Sequence, residues 1–277
     1  MEYPAGDPSS PFPSAADIER AAKDFESPPQ TLSGIDLNES EQLALLEALA
    51  PLKPDFPEES NADWRFAYEN QFFSWADADS LQAMIRHLRP QRIVEVGSGF
   101  SSAAILDTND RYFDGAIECV LIEPAPERLL SLLLPEDLTR VRLVEGLVQD
   151  VPLSTFEALQ ANDILFIDSS HVAKAGSDVN HEIFEILPRL NAGTYIHFHD
   201  VFYPFGYLND WITSGWAWSE AYLLRAFLQY NSAFAISLFL DYLWRFHRDR
   251  VERALANVPR CRPGSLWLRK ASGRELG

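Results

Sequence analysis

Residues 92–102 read Arg92-Ile-Val-Glu-Val-Gly-Ser-Gly-Phe-Ser-Ser102, and this stretch decides the fold. Its first half is an apolar run that predicts a buried β-strand, and its second half is a Gly-x-Gly turn. Gly97 and Gly99 allow the backbone to turn tightly and to approach a ligand closely. Ser101 and Ser102 can cap the helix that follows. A strand, turn and helix of this kind are typical of nucleotide-cofactor binding, although the same residues also fit a plain tight turn.

The next apolar run strengthens the cofactor interpretation. It covers residues 117–123 and ends at Glu123, about twenty positions after the turn. An acid at the end of the second strand commonly binds ribose hydroxyls. Glu123 is therefore the predicted ribose ligand.

Near-continuous apolar runs recur along the chain and predict a parallel sheet that is covered by helices. The predicted strands are residues 92–96, 117–123, 141–145, 163–168, 194–199, 235–239 and 265–270. The fold class is α/β, a Rossmann-like sheet of seven mostly parallel strands with helices on both faces. Residues 1–75 are predicted as an irregular and helical N-terminal extension, and residues 76–277 as the main domain.

The composition limits the partners. The 277 residues carry a formal net charge of −18, which argues against nucleic acid because phosphate backbones are bound through Lys/Arg fields. No apolar run reaches the roughly 18 residues of a membrane span, and no signal peptide is evident. We therefore expect a cytoplasmic enzyme that acts on a small molecule and does not bind membranes, and a homo-oligomer is left open as its assembly.

Residues 94–102 together with Glu123 resemble the cofactor site of class I S-adenosylmethionine-dependent methyltransferases. These proteins share a loose Glu/Asp-x-Gly-x-Gly signature, which Glu95, Gly97 and Gly99 match. The resemblance covers about residues 81–231 and implies the strand order 3-2-1-4-5-7-6. It implies S-adenosylmethionine as the cofactor. The cofactor-binding residues it implies are Glu95, Gly97, Ser98, Gly99, Ser101, Ser102, Glu123, Asp150 (at the adenine) and Asp168.

Polar side chains follow the fourth and fifth predicted strands. Asp168 and His171 follow one strand, and His199 and Asp200 end the other. Adjacent parallel strands lie about 5 Å apart and ligands bind beyond their carboxyl ends, so these groups should share a pocket. Asp168, His199 and Asp200 are the predicted metal ligands. Two carboxylates and an imidazole suit Mg²⁺ or Mn²⁺, and the residue types leave Fe²⁺ or Zn²⁺ open.

This arrangement is similar to that of metal-dependent sugar O-methyltransferases that modify macrolide antibiotics. The similarity implies Asp168 and Asp200 as metal ligands and His171 as the general base. His199 departs from the pattern, because the relatives have Glu there. His197 precedes it by two residues and is predicted to be a buried core histidine.

These observations lead to three hypotheses. The first is metal-assisted O-methylation of a small-molecule hydroxyl, on a sugar or secondary metabolite, with His171 as the base. The second is methyl transfer to O or N without a metal. The third is a cofactor-binding protein that has no transferase activity.

Overall fold

A computed structural model describes residues 3–73, 75–255 and 257–272. Within these ranges, seven strands form one sheet. The strands are β1 (Arg92–Val96), β2 (Glu118–Ile122), β3 (Arg142–Val144), β4 (Ile164–Ile167), β5 (Tyr195–Phe198), β6 (Phe234–Phe239) and β7 (Leu266–Lys270). All seven predicted strands are present, and each end lies within two residues of its predicted position.

The sheet has the order β3-β2-β1-β4-β5-β7-β6. The first five strands are mutually parallel, and β7 runs antiparallel to both of its neighbours. The α/β class and the implied strand order are therefore confirmed. Because β1, β4 and β5 are adjacent, their carboxyl ends meet at one edge of the sheet.

Helices connect and cover the strands. They are α1 (Ala15–Glu26), α2 (Glu39–Leu49), α3 (Trp75–Leu88), α4 (Phe100–Phe113), α5 (Glu127–Leu130), α6 (Ser154–Glu157), α7 (Asp178–His181), α8 (Leu187–Arg189), α9 (Asn209–Thr213), α10 (Glu220–Leu228), α11 (Leu240–Phe246) and α12 (Arg248–Ala254). A π-helix spans Glu182–Ile186, and 3₁₀ turns span Asp137–Thr139, Val148–Asp150 and Val258–Arg260. No helix in the described ranges is long and apolar enough to cross a membrane.

The N-terminal segment is more regular than its prolines suggest. Helix α1 begins after Ser14, whose hydroxyl accepts the N–H of Asp17 while the Asp17 side chain accepts the N–H of Ser14. This capping box satisfies N–H groups that would otherwise lack partners. Residues between 32 and 73 contribute to the same apolar core as the sheet. The division of the chain at residue 75 stays a prediction.

Candidate active site

The turn after β1 requires glycine at one position in particular. Gly97 has φ +82°, and a Cβ on it would stand 1.8 Å from the carbonyl oxygen of Asp168. Both the backbone conformation and the close approach to the end of β4 therefore exclude a side chain. Gly99 is extended, and a Cβ there would make only ordinary contacts.

Glu95 and Ser102 support this turn from beneath. Both side chains are fully buried. The Ser102 hydroxyl accepts the N–H of Gly99 (3.0 Å) and donates to Oε2 of Glu95. Burial raises the pKa of Glu95 to about 7. Neither residue lines the cleft, so both hold the turn in shape without facing a ligand.

Two adjoining cavities form a cleft at the carboxyl ends of the strands. The smaller encloses about 250 Å³ and includes Ser98, Ser101 and His171 in its wall. The larger encloses about 450 Å³ and includes Leu147, Val148 and Gln149. The residues shared by both walls are Gly97, Glu123, Asp168, Ser169 and Ser170.

Glu123 lies where the two cavities join. Its Oε2 accepts the N–H of Ser98 (3.1 Å), and its Oε1 accepts the N–H of Ala125 (2.9 Å). These bonds fix the carboxylate beside the glycine turn. Asp150 is exposed and lies one residue beyond the lining segment, so its predicted contact with adenine stays a prediction.

Beyond the ends of β4 and β5, Asp168, His199 and Asp200 come together as the sequence predicts. Each offers one ligand atom, and the three atoms lie within 4.8 Å of one another. Nδ1 of His199 is 3.2 Å from Oδ1 of Asp168 and 3.7 Å from Oδ2 of Asp200. It is buried and forms no hydrogen bond of good geometry within the described residues. A buried nitrogen facing two carboxylates has the donor arrangement of a metal site.

The charges of this cluster are strongly coupled. Burial alone would raise the pKa of Asp168, but the charge of His199 and a hydrogen bond from His171 outweigh it and hold that pKa well below its usual range. Burial raises the pKa of Asp200 to about 6. The two carboxylates outweigh burial at His199 and raise the pKa of its imidazole.

His171 has one ring nitrogen toward the cluster and the other toward a buried acid. Its Nε2 is 3.3 Å from Oδ1 of Asp168, and its Nδ1 donates to Oε2 of Glu220 (2.8 Å). Trp218 covers the ring, with centroids 4.2 Å apart. Burial alone would lower the pKa of His171, but the hydrogen bonds with Asp168 and Glu220 raise it to about 10.

The backbone at this site is strained. His171 and Asp200 both have φ +59°, in the left-handed region that non-glycine residues seldom adopt. The N–H groups of Ser219 and Glu220 both donate to the carbonyl of His171 (2.9 and 3.1 Å). The start of α10 thus holds the His171 main chain as well as its ring, which keeps a costly conformation in place.

Sequence reasoning missed two acids that act on the histidines. Glu220 binds His171 across 49 positions, and Asp77 of α3 lies with Oδ2 3.8 Å from Nε2 of His199. Carboxylates in this outer position commonly orient a metal-binding imidazole. Neither acid belongs to a motif, because its proximity to the site depends on how separate elements pack.

His197 is a core residue, as predicted. Its ring stacks on Phe166 with centroids 4.1 Å apart, and its Nε2 lies 2.9 Å from Oγ of Ser265. Burial holds its pKa well below the usual value, so the imidazole is neutral at physiological pH.

Comparison with known proteins agrees with the fold and the glycine turn. Residues 94–201 match the Methyltransf_24 family, a methyltransferase domain. An uncharacterized protein of Archaeoglobus fulgidus is 37% identical over 170 residues, which are 58% of this chain and 76% of that protein. The chain belongs to the same family as that protein. Together with the strand order, the domain match identifies it as a class I S-adenosylmethionine-dependent methyltransferase.

Solved structures with more distant similarity include two methyltransferases. Podospora anserina methyltransferase PaMTH1, in its SAH-bound form, gives a TM-score of 0.46 at 17% identity, covering 94% of this chain and 97% of that one. The O-methyltransferase TomG from Streptomyces achromogenes gives a TM-score of 0.46 at 13% identity, covering 86% and 92%.

Proposed function

We propose that this protein is a metal-assisted O-methyltransferase that acts on a hydroxyl of a small molecule, such as a sugar or a secondary metabolite. The observation that carries the proposal is the group of Asp168, His199 and Asp200 at the mouth of the cofactor cleft, with His171 beside it. Buried Nδ1 of His199 lies 3.2 Å from Oδ1 of Asp168 but forms no hydrogen bond of good geometry within the described residues, which supports a cation between the two side chains.

The donor set fits a divalent cation. Asp168 and Asp200 offer carboxylate oxygens, His199 offers an imidazole nitrogen, and Asp77 stands behind that ring. We propose that the cation is Mg²⁺ or Mn²⁺. Binding measurements with a panel of divalent metals distinguish these two from Fe²⁺ and Zn²⁺. A cation held there supplies positive charge that lowers the pKa of an acceptor hydroxyl.

The cleft residues arrange the cofactor. We propose that Glu123 binds the ribose hydroxyls at the junction of the cavities, and that the wall around Leu147 and Gln149 receives the adenine. Gly97, Ser98, Gly99, Ser101 and Asp168 line the path from the ribose to the reacting cluster. Glu95 and Ser102 keep the turn in the shape that this path requires.

His171 is the proposed general base. The acceptor oxygen forms a bond to the methyl carbon as the carbon–sulfur bond of the cofactor breaks, and the hydroxyl proton passes to Nε2 of His171. Glu220 keeps this nitrogen turned toward the cleft by holding the other one. A cation held by Asp168 would oppose protonation of the His171 imidazole and favour the neutral form that a base needs.

Aromatic side chains favour a ring-shaped acceptor. Trp218 lines the smaller cavity, and the rings of Trp211 and Trp216 lie 5.1 and 4.7 Å from it. Trp216 is 46% exposed, so its indole is accessible beside the cleft. Such surfaces stack on sugars and planar rings. The net charge of −18 disfavours a nucleic acid as the acceptor.

Calorimetric titration of Mn²⁺ into chelator-treated protein tests the metal site. We expect Asp168→Asn to weaken Mn²⁺ binding by at least about 100-fold, since even changes outside the ligand shell cost about 10- to 100-fold. Asp163→Asn is the matched control. Asp163 is a buried acid before the amino end of β4, where it accepts the N–H groups of Gln91, Arg92 and Gln160.

The outcomes separate the candidate functions. Mn²⁺ binding that is lost in Asp168→Asn and kept in Asp163→Asn supports metal assistance. Methyl transfer to hydroxylated acceptors that persists with chelator favours a metal-independent O- or N-methyltransferase with His171 as the base. Cofactor binding with no turnover across an acceptor panel favours a non-catalytic cofactor-binding protein.

A further inference from the structure

A single guanidinium lines the smaller cavity. Arg128, on the short helix α5, is the only Lys or Arg among the described residues of its wall. Its guanidinium carbon lies 3.9 Å from the centre of the Phe72 ring. Its Cδ and Nη1 lie 3.5 and 4.0 Å from the position of a Cβ on Gly99. Stacking on Phe72 therefore holds the cation beside the glycine turn.

The charge of Arg128 is not matched by a carboxylate in the part of the chain that the structure describes. Within the described residues, Arg128 is in no ion pair, although the chain has 41 Asp and Glu against 23 Lys and Arg. Arg128 acts on Glu123 through its charge at longer range. Burial raises the pKa of the Glu123 carboxyl, and the positive charge of Arg128 opposes part of that rise. A guanidinium beside an acidic cleft is thus available to a carboxylate that enters with a ligand.

The position of the reacting cluster decides which part of the cofactor meets Arg128. Glu123 lines both cavities, so a cofactor held there by its ribose has its base in one and its amino-acid group in the other. The methyl group must reach His171, which lines the smaller cavity. The sulfonium and the amino-acid group therefore enter the cavity that contains Arg128.

We propose that Arg128 binds the α-carboxylate of the cofactor's amino-acid group. The proposal rests on the placement of the cofactor under the proposed function. An acidic acceptor would bring the same chemistry, a carboxylate, into the same cavity. The two sources are separable because S-adenosylhomocysteine carries the α-carboxylate and 5′-methylthioadenosine is a related nucleoside thioether without it.

The experiment is calorimetric titration of both compounds into the full chain and its variants. Arg128→Met keeps most of the aliphatic stem and removes the charge, and Arg128→Lys restores the charge without the planar fork. Arg111→Met is the matched control, since Arg111 is also exposed and stacks on an aromatic ring, that of Trp64 at 3.3 Å, but lines neither cavity.

We expect Arg128→Met to weaken S-adenosylhomocysteine about 10- to 100-fold, as for loss of a charged hydrogen-bond partner, and to leave 5′-methylthioadenosine unchanged. Arg128→Lys should recover part of the loss, and Arg111→Met should behave as wild type. Unchanged S-adenosylhomocysteine affinity in Arg128→Met overturns the proposal. Equal losses for both compounds also overturn it. A wild-type protein that binds neither compound contradicts the proposed function itself.

Discussion

Two groups of carboxylates in this molecule, one buried and one half-buried, are neutralised in different ways. In one, Arg65 donates to Asp137 through Nε (2.7 Å) and to Asp107 through Nη1 (2.9 Å), and all three side chains are almost fully buried. In the other, Asp168 and Asp200 face two histidines and open toward the cleft.

The difference separates a structural cluster from a functional one. The Arg65 cluster carries its own permanent cation and presents matched donors and acceptors. The Asp168 cluster has no Lys or Arg within ion-pair distance among the described residues, and it leaves a buried nitrogen of His199 without a hydrogen bond. Its carboxylates are balanced by imidazoles, which can lose their protons, so a ligand can take over the balancing of that charge.

The largest expected effect is on the structural cluster. Arg65→Met leaves Asp107 buried without its cation and Asp137 with only Arg140, 3.9 Å away, which should lower the free energy of unfolding by about 3–5 kcal/mol. Urea denaturation measures this loss, and Mn²⁺ binding in the folded variant should match wild type. A loss below about 1 kcal/mol would show that the buried acids do not depend on Arg65. The difference between the Arg65 cluster and the Asp168 cluster would then disappear.

Glu95 gives a third case for the comparison. Among the described residues this buried acid is paired with neither an arginine nor a histidine. Its folded pKa is raised to about 7 from 4.5, so the folded state holds the proton more tightly than the unfolded state. The stability that this provides is present below pH 4.5 and is lost as pH rises through 7. Relative to Glu95→Gln, which stays neutral, wild type should lose about 3 kcal/mol over this interval.

Urea denaturation of both proteins at several pH values measures the difference. Because the histidines and other acids titrate in both proteins, their contributions cancel. A stability difference that does not vary between pH 4.5 and 7 contradicts the assignment.

The smallest effect is expected at His197, two residues before the candidate ligand His199. His197→Gln removes the stacking on Phe166 while keeping a polar group near Ser265, and should cost about 1 kcal/mol of stability. Mn²⁺ affinity should stay within about twofold of wild type, in contrast to Asp168→Asn. A large loss of Mn²⁺ affinity in His197→Gln would place this histidine in the functional cluster instead.

The sequence predicts the sheet well because strand signals are local. Each apolar run that is covered on both faces is visible without knowledge of its neighbours, as in residues 164–167, all of which are buried. The meeting of Asp168 with His199 and Asp200 is predictable for a related reason. Because β4 and β5 are parallel neighbours, the residues at their carboxyl ends lie at the same edge of the sheet.

Contacts that depend on tertiary packing are not visible in this way. Glu220 reaches His171 only because the segment after β5 folds back over the cleft, and no motif marks that path. Glu95 and Ser102 match the cofactor signature, yet the structure places both beneath the turn. A signature gives residue types and spacing, whereas the direction of the Glu95 side chain depends on how β1 packs in the sheet and that of Ser102 on the first turn of α4.

The attachment of the aromatic-rich segment between β5 and α10, residues 201–218, has a consequence for how this enzyme can change. The segment leaves the site at Asp200 and returns to it at Ser219 and Glu220, whose N–H groups hold the carbonyl of His171. Both of its ends are thus anchored by the reacting groups, while its middle, which includes Trp216, borders solvent. Replacing the residues of that middle portion would change which acceptors can bind and would leave the reacting side chains in their positions. New acceptor ranges should therefore arise in evolution or engineering through residues 209–217, with the anchors and the buried residues Tyr203, Phe205 and Tyr207 retained.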